Sequence, residues 1–187
     1  MAKKAIVLLA DGFEDVEAVT PIDYLQRAGI EVTTASISES LTVTSKWGGI
    51  KMIASSTLTE IVMRGTDGWD AVIVPGGMPG STNLAASKET GALLKKMAAD
   101  GKLICAICAA PALVLAPLDL LAEKKFTCYP GMEEKTTNAK WSGERVVTDG
   151  NIITSRGAGT AGQFAVAIIE KLLNKAAAQK IADTVLL

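Results

Sequence analysis

The sequence predicts one doubly wound α/β domain spanning residues 1–187. Three observations carry that reading. Hydrophobic residues make up 49% of the chain but aromatics only 4%, so the core must be built from Ala, Val, Ile and Leu. That composition suits a parallel sheet covered by helices. Short β-branched runs alternate with helix-like stretches, the pattern of βα units. Three of these runs end in loops containing Gly, Pro or Cys, and ligands of open α/β sheets gather beyond the carboxyl ends of the strands.

Taken in order, Lys4–Leu9 is a short apolar run and predicts a buried strand broken by Asp11-Gly12. A helix follows from about Glu14 to Ala28, stopped by Gly29, with Pro21 predicting a kink or a late start. Its first turn carries Glu14, Asp15 and Glu17, where acids complement the helix dipole. Ile30–Ala35 is a second strand, which completes a βαβ unit. The Ser-, Thr- and Gly-rich stretch 36–56 predicts a small antiparallel excursion through Leu41–Thr44 and Ile50–Ile53, and 58–63 a brief helix. Trp69–Val74 is a buried strand ended by Pro75-Gly76-Gly77, and Met78–Ser81 prolongs that loop. A helix from about Glu89 to Ala99 leads to the apolar run Lys102–Ile107, which meets Cys108 at a turn before a helix-like apolar pattern. Phe126–Tyr129 predicts a short strand, and Glu133–Thr136 a turn or helix. Val146–Thr148 and Ile152–Ser155 form a hairpin through Asp149-Gly150-Asn151. Arg156–Thr160 is a tight loop, and helices at 160–173 and 176–187 close the chain.

Composition also excludes chemistry. The formal net charge is −1, which gives no electrostatic case for nucleic acid or an anionic membrane. No apolar run approaches the ~20 residues of a membrane helix, and residues 2–10 lack the length of a signal sequence. Three cysteines, an odd number, fit a reducing compartment. The expectation is a cytoplasmic protein. Histidine is absent, which removes Cys-His, Ser-His-Asp and His-ligated zinc mechanisms, and three cysteines alone make no convincing zinc site. No metal or cofactor is expected.

The chemistry-bearing residues fall in three strand-end loops. The 10–17 loop supplies a carboxylate, Pro75-Gly76-Gly77 supplies unobstructed N–H groups, and the Cys108–Pro111 loop supplies a thiol. Each also has a plain reading: Glu17 as a first-turn acid, the Pro-Gly-Gly as a turn, Cys108 as packing, Arg156 as a loop cation. Cys105 and Cys108 have dithiol spacing, but Cys105 lies inside a strand, where residues three apart point to opposite faces, so Cys105 and Cys128 are assigned to the core.

Asp11–Glu17, Val74–Gly77, Ala106–Pro111 and Thr154–Thr160 occur in the order found in the ThiJ/PfpI superfamily, and the chain resembles its branch of Parkinsonism-associated deglycase (DJ-one) and YajL-like proteins. The resemblance implies a flavodoxin-like α/β sandwich related to class I glutamine amidotransferases, a cysteine on a nucleophile elbow, and a homodimer. It implies Cys108 as the nucleophile and Glu17 as its acid partner. Gly76, Gly77 and Ala109 become the oxyanion donors, with Arg156 in support, and Arg27 lies where the family's first helix makes dimer contacts. Asp23 matches an acid that in some members orients a histidine. Here that histidine is replaced by Tyr129. With an unperturbed pKa of ~10, a tyrosine is a poor base at neutral pH.

What the resemblance implies for function is a glyoxalase- or deglycase-type reaction on small α-oxoaldehydes or their protein adducts. A redox-sensing or chaperone-like stress protein acting through oxidation of Cys108 is the alternative. Both expect a depressed Cys108 pKa. A non-catalytic module is the third reading. Protease, amidase and thiazole monophosphate biosynthesis rest on the family label alone.

Overall fold

The structure, a computed structural model, describes residues 2–187. Its centre is a seven-stranded sheet. The strands are Lys4–Leu9 (β1), Glu31–Ser36 (β2), Ser56–Thr57, Ala71–Val74, Leu103–Ile107, Val146–Asp149 and Ile152–Ser155. Two small pairs lie outside it: Thr42–Thr44 (β3) with Lys51–Ile53 (β4), and Lys125–Phe126 with Lys140–Trp141. In chain order the remaining strands are therefore β5 (56–57), β6 (71–74), β7 (103–107), β8 (125–126), β9 (140–141), β10 (146–149) and β11 (152–155). The main sheet runs β10-β11-β7-β6-β1-β2-β5, and every pairing is parallel except β10 with β11.

Alternation along the strands divides the core into two layers. Ala5, Val7 and Leu9 of β1, with Ile73 and Cys105, face one side. There they meet Asp15–Arg27 (α1) and Ala161–Leu172, against which Lys175–Thr184 packs. Ile6, Leu8, Val72 and Ile104 face the other side. That layer is covered by Leu58–Arg64 (α2), Gly80–Ala86 (α3) and Lys88–Ala99 (α4). The two C-terminal helices are α5 (161–172) and α6 (175–184). All five residues of β7 are buried, and full burial of a Leu or Ile side chain is worth ~1.5–3 kcal/mol.

Register places the functional loops on one rim. Val7 pairs with Ile73, and Ile73 with Cys105. β1, β6 and β7 therefore end side by side, and the loops that follow them open on the same edge.

The structure corrects three expectations. The apolar stretch after Cys108 is not a regular helix. It forms one π-helical turn, Pro111–Leu115, and a 3-10 turn, Ala116–Leu118, ended by left-handed Asp119. Pro117 has no N–H and crowds the preceding turn, so an α-helix cannot pass through it. The loop after Gly77 is shorter than expected because α3 begins at Gly80. The strand expected at 126–129 stops at Phe126, since the Thr127 N–H donates to Thr154 Oγ1 (2.9 Å) instead of a ladder. Pro21 is accommodated within α1.

No helix among the described residues is long and apolar enough to cross a membrane.

A carboxyl, a thiol and two backbone donors on one rim

Cys108 follows β7 with φ 66°, in the left-handed region that a side chain rarely adopts. Two hydrogen bonds hold it there. Its N–H donates to Ser155 O (2.9 Å), and its own carbonyl accepts from Tyr129 N–H (2.8 Å). Such backbone strain costs of order 1–3 kcal/mol and persists only where the surroundings over-determine it. The reversal ends the strand's alternation. Cys108 therefore packs against the same core layer as Cys105, correcting the expectation of opposite faces. Cys105 and Cys128 are buried, while Cys108 is partly exposed.

Glu17 is delivered by the first turn of α1, with only 1% of its surface exposed. Its Oε2 accepts from Gly76 N–H at 2.9 Å. The Glu14 N–H donates to Gly76 O (3.0 Å), so the 10–17 and 75–77 loops are joined through one glycine. A methyl at Gly76 would lie 2.5 Å from Cys108 Cβ and 3.1 Å from its sulfur, and would also strike Glu17 Oε2. Only hydrogen fits between acid and thiol. Gly77 has φ 95°, and a Cβ there would meet Glu14 N at 2.5 Å.

This arrangement revises one donor assignment. The Gly76 N–H serves the Glu17 carboxyl, whereas the N–H groups of Gly77 and Ala109 are the ones that pull the Cys108 thiol pKa down.

Burial pushes Glu17 up to about 7, helped by the nearby Glu14 charge and opposed by the Cys108 thiol, the Gly76 N–H and Lys46. Beside an ionised Glu17, burial and that charge push the Cys108 thiol up to about 12, against the pull of the Ala109 and Gly77 N–H groups. The depressed thiol pKa expected from the sequence is therefore absent: burial, the largest cause, raises it. Protonation of Glu17 removes the repulsion and turns the carboxyl into a donor toward sulfur. Acid and thiol titrate as a coupled pair that passes from two protons to one near neutral pH.

The pair opens into a cavity of about 270 Å³. Glu14, Lys46, Gly77, Met78, Tyr129 and Met132 contribute to its wall. Tyr129 stands at the mouth and is 53% exposed. Arg156 lines a neighbouring cavity instead, together with Tyr129. Asp23 and Arg27 lie away from the thiol, paired with each other across one turn of α1 (Nε to Oδ2, 2.8 Å). Sequence reasoning missed Glu14 and Lys46, whose charged groups sit 3.9 Å apart. Lys46 comes from the β3–β4 hairpin, which is tied to the site where Gly12 N–H donates to Thr44 O (2.8 Å) and Lys46 N–H to Phe13 O (2.8 Å). No local pattern marks such long-range contacts. Among the described residues no group of three or more His, Cys, Asp or Glu could hold a metal ion.

Comparison with known proteins matches residues 3–171 to the model of the DJ-1/PfpI family. Protein DJ-1 homolog B of Arabidopsis thaliana is 42% identical over 96% of this chain, which spans only 40% of the plant protein. The Caenorhabditis elegans protein named glutathione-independent glyoxalase DJR-1.2 is 35% identical over 91% of this chain and 89% of its own. Among solved structures, Drosophila melanogaster DJ-1beta superposes with a TM-score of 0.94 at 38% identity, covering 100% of this chain and 99% of the fly chain.

Proposed function

This chain belongs to the DJ-1/PfpI family, and from that membership we propose that it converts small α-oxoaldehydes, free or as protein adducts, to hydroxyacids. One observation carries the reading: a buried carboxyl near its neutral-pH midpoint lies against a thiol, with two N–H groups on the sulfur's side. The C. elegans relative's name, glutathione-independent glyoxalase, favours the same chemistry.

With methylglyoxal, the Cys108 sulfur bonds to the aldehyde carbon while Glu17 takes the thiol proton. The oxygen of the adduct accepts hydrogen bonds from Gly77 and Ala109, then is protonated to a hemithioacetal. Glu17 removes the proton from the former aldehyde carbon and returns it to the adjacent carbonyl carbon, while the hemithioacetal hydroxyl proton passes to the ketone oxygen. The product is a lactoyl thioester, and water cleaves it to lactate and free thiol. No external oxidant or reductant is needed. Proton transfer by a positioned group is worth ~10²–10⁴-fold, and each oxyanion donor ~10²–10³-fold. Without an imidazole at position 129, turnover is modest. The test is lactate formation by the wild type, Cys108→Ser and Glu17→Gln. Equal output from all three rejects the reading.

A redox role has its own support. Cys108 is the partly exposed cysteine of the three, and a protonated Glu17 would donate to a sulfinate oxygen. Intact-mass mapping after mild peroxide should place the first added oxygen on Cys108. First oxidation at Cys105 or Cys128 rules this out.

The proposed assembly is a homodimer through α1, where Val16 and Val19 are exposed on the helix that carries Arg27. Sedimentation of Val19→Asp against wild type tests it. Three free thiols fit a cytoplasmic location.

A further inference from the structure

Beside the thiol cavity lies a second one of about 350 Å³. The two share Tyr129 and Ala158, so they are compartments of one cleft. The second compartment is cationic. Arg145 and Arg156 both line it, and among the described residues neither has a carboxylate within 4.0 Å. Arg145 is fixed by uncharged partners, Nε to Gln163 Oε1 (2.6 Å) and Nη2 to Gly159 O (2.6 Å). Arg156 reaches only Gly143 O, at 3.4 Å. It keeps most of its planar fork available.

The floor has the same polarity. Residues 157–160 lead directly into the N-terminus of the twelve-residue α5. Gly157 N–H is taken by Thr160 Oγ1 and Thr160 N–H by Gly157 O, whereas the N–H groups of exposed Ala158 and Gly159 have no acceptor among the described residues. Two arginines without a carboxylate partner and two residues with unused N–H groups thus line one cavity. Such a lining suits an oxyanion, which a guanidinium fork receives in bidentate fashion. The chain's net charge is −1, so this is a local reversal of sign.

We propose that this compartment is an oxyanion subsite that holds the carboxylate or phosphate of a carbonyl compound whose aldehyde reaches Cys108. The identity of the carbonyl end rests on the function proposed above; the subsite itself does not.

The test separates the two. The Cys108→Ser protein cannot form the thioester, so it reports binding alone. Its backbone amide spectrum is followed during titration with sodium phosphate and, separately, sodium acetate, at constant ionic strength set with sodium chloride. The Ala158 and Gly159 amides should shift and saturate with at least one anion. Saturation by phosphate alone points to phosphorylated carbonyl compounds, and by acetate alone to carboxylated ones. Adding Arg156→Gln should weaken binding about tenfold, and Arg156→Lys should restore part of it. Because Arg145 also pins the loop, Arg145→Gln is judged only after its melting curve matches the parent's. Shifts that stay linear with both anions, or saturation untouched by Arg156→Gln, overturn the subsite.

For the substrate, kcat/KM for an α-oxoaldehyde bearing a terminal carboxylate or phosphate is divided by that for methylglyoxal. This ratio should fall about tenfold in Arg156→Gln. An unchanged ratio overturns the substrate assignment. Absence of turnover with every aldehyde rejects the function proposed above, and the titration still decides the subsite.

Discussion

Glu17→Gln should change stability and turnover in opposite directions, and the stability change should depend on pH. The Glu17 carboxyl is pushed up to about 7 by burial, from an ordinary value of 4.5. Between those values the folded protein binds a proton that the unfolded chain has released. Stability therefore falls as pH rises through this window. The full cost of ionising Glu17 in place is present above pH 7 and absent below about 4.5. At 1.36 kcal/mol per pH unit the interval amounts to about 3 kcal/mol. Glutamine carries no charge, can still accept the Gly76 N–H, and can turn its amide toward the sulfur. At pH 8 the variant should melt about 6–12 °C above the wild type, by the usual conversion for a domain of this size. At pH 5 the difference should shrink to about a quarter of that. Lactate formation should fall by ~10²–10⁴-fold through loss of the proton carrier. Differential scanning calorimetry at both pH values, on identical preparations, is the assay. A melting difference equal at pH 5 and pH 8 refutes the assignment of a raised carboxyl.

Two further predictions concern the same few ångströms. Gly76→Ala inserts a methyl between Glu17 and Cys108 and should cost about 1–3 kcal/mol by overpacking, while abolishing turnover. Gly68→Ala meets nothing within 4 Å and should be neutral or stabilising by about 0.4–1 kcal/mol; urea denaturation of both distinguishes crowding from a general intolerance of alanine. Tyr129→His returns an imidazole to the cavity mouth. A fully positioned base is worth ~10²–10⁴-fold, so a half-exposed one should raise methylglyoxal turnover about tenfold at pH 7 and add a limb near pH ~6.5. An unaltered pH profile would show that position 129 is out of reach of the reacting atoms.

Much of the fold is legible in the chain because its signals are local. The runs ending at Leu9, Val74 and Ile107 are apolar and short, and all three are buried central strands. The Asp149-Gly150 turn marks the one antiparallel pairing of the main sheet. Strand order and register are not local, and they decide which loops meet. Cys108, Gly77 and Glu17 were legible because each sits at a strand end or first helical turn with a chemically distinct side chain or none. Glu14 and Lys46 were not, since their place in the cavity depends on the β3–β4 hairpin folding onto the Gly12–Phe13 backbone. The Gly76 N–H reaches the Glu17 carboxyl rather than the thiol for a related reason. Sequence shows that a donor is free of side-chain obstruction, but only the fold shows which acceptor reaches it first.

The two backbone bonds that clamp Cys108 come from far downstream, at Tyr129 and Ser155. A growing polypeptide that has not yet extended past residue 155 has nothing to hold the left-handed turn. Its thiol is then an ordinary flexible one, without the neighbouring donors in register. The left-handed turn at Cys108 is thus a property of the finished chain, set only when its last third docks.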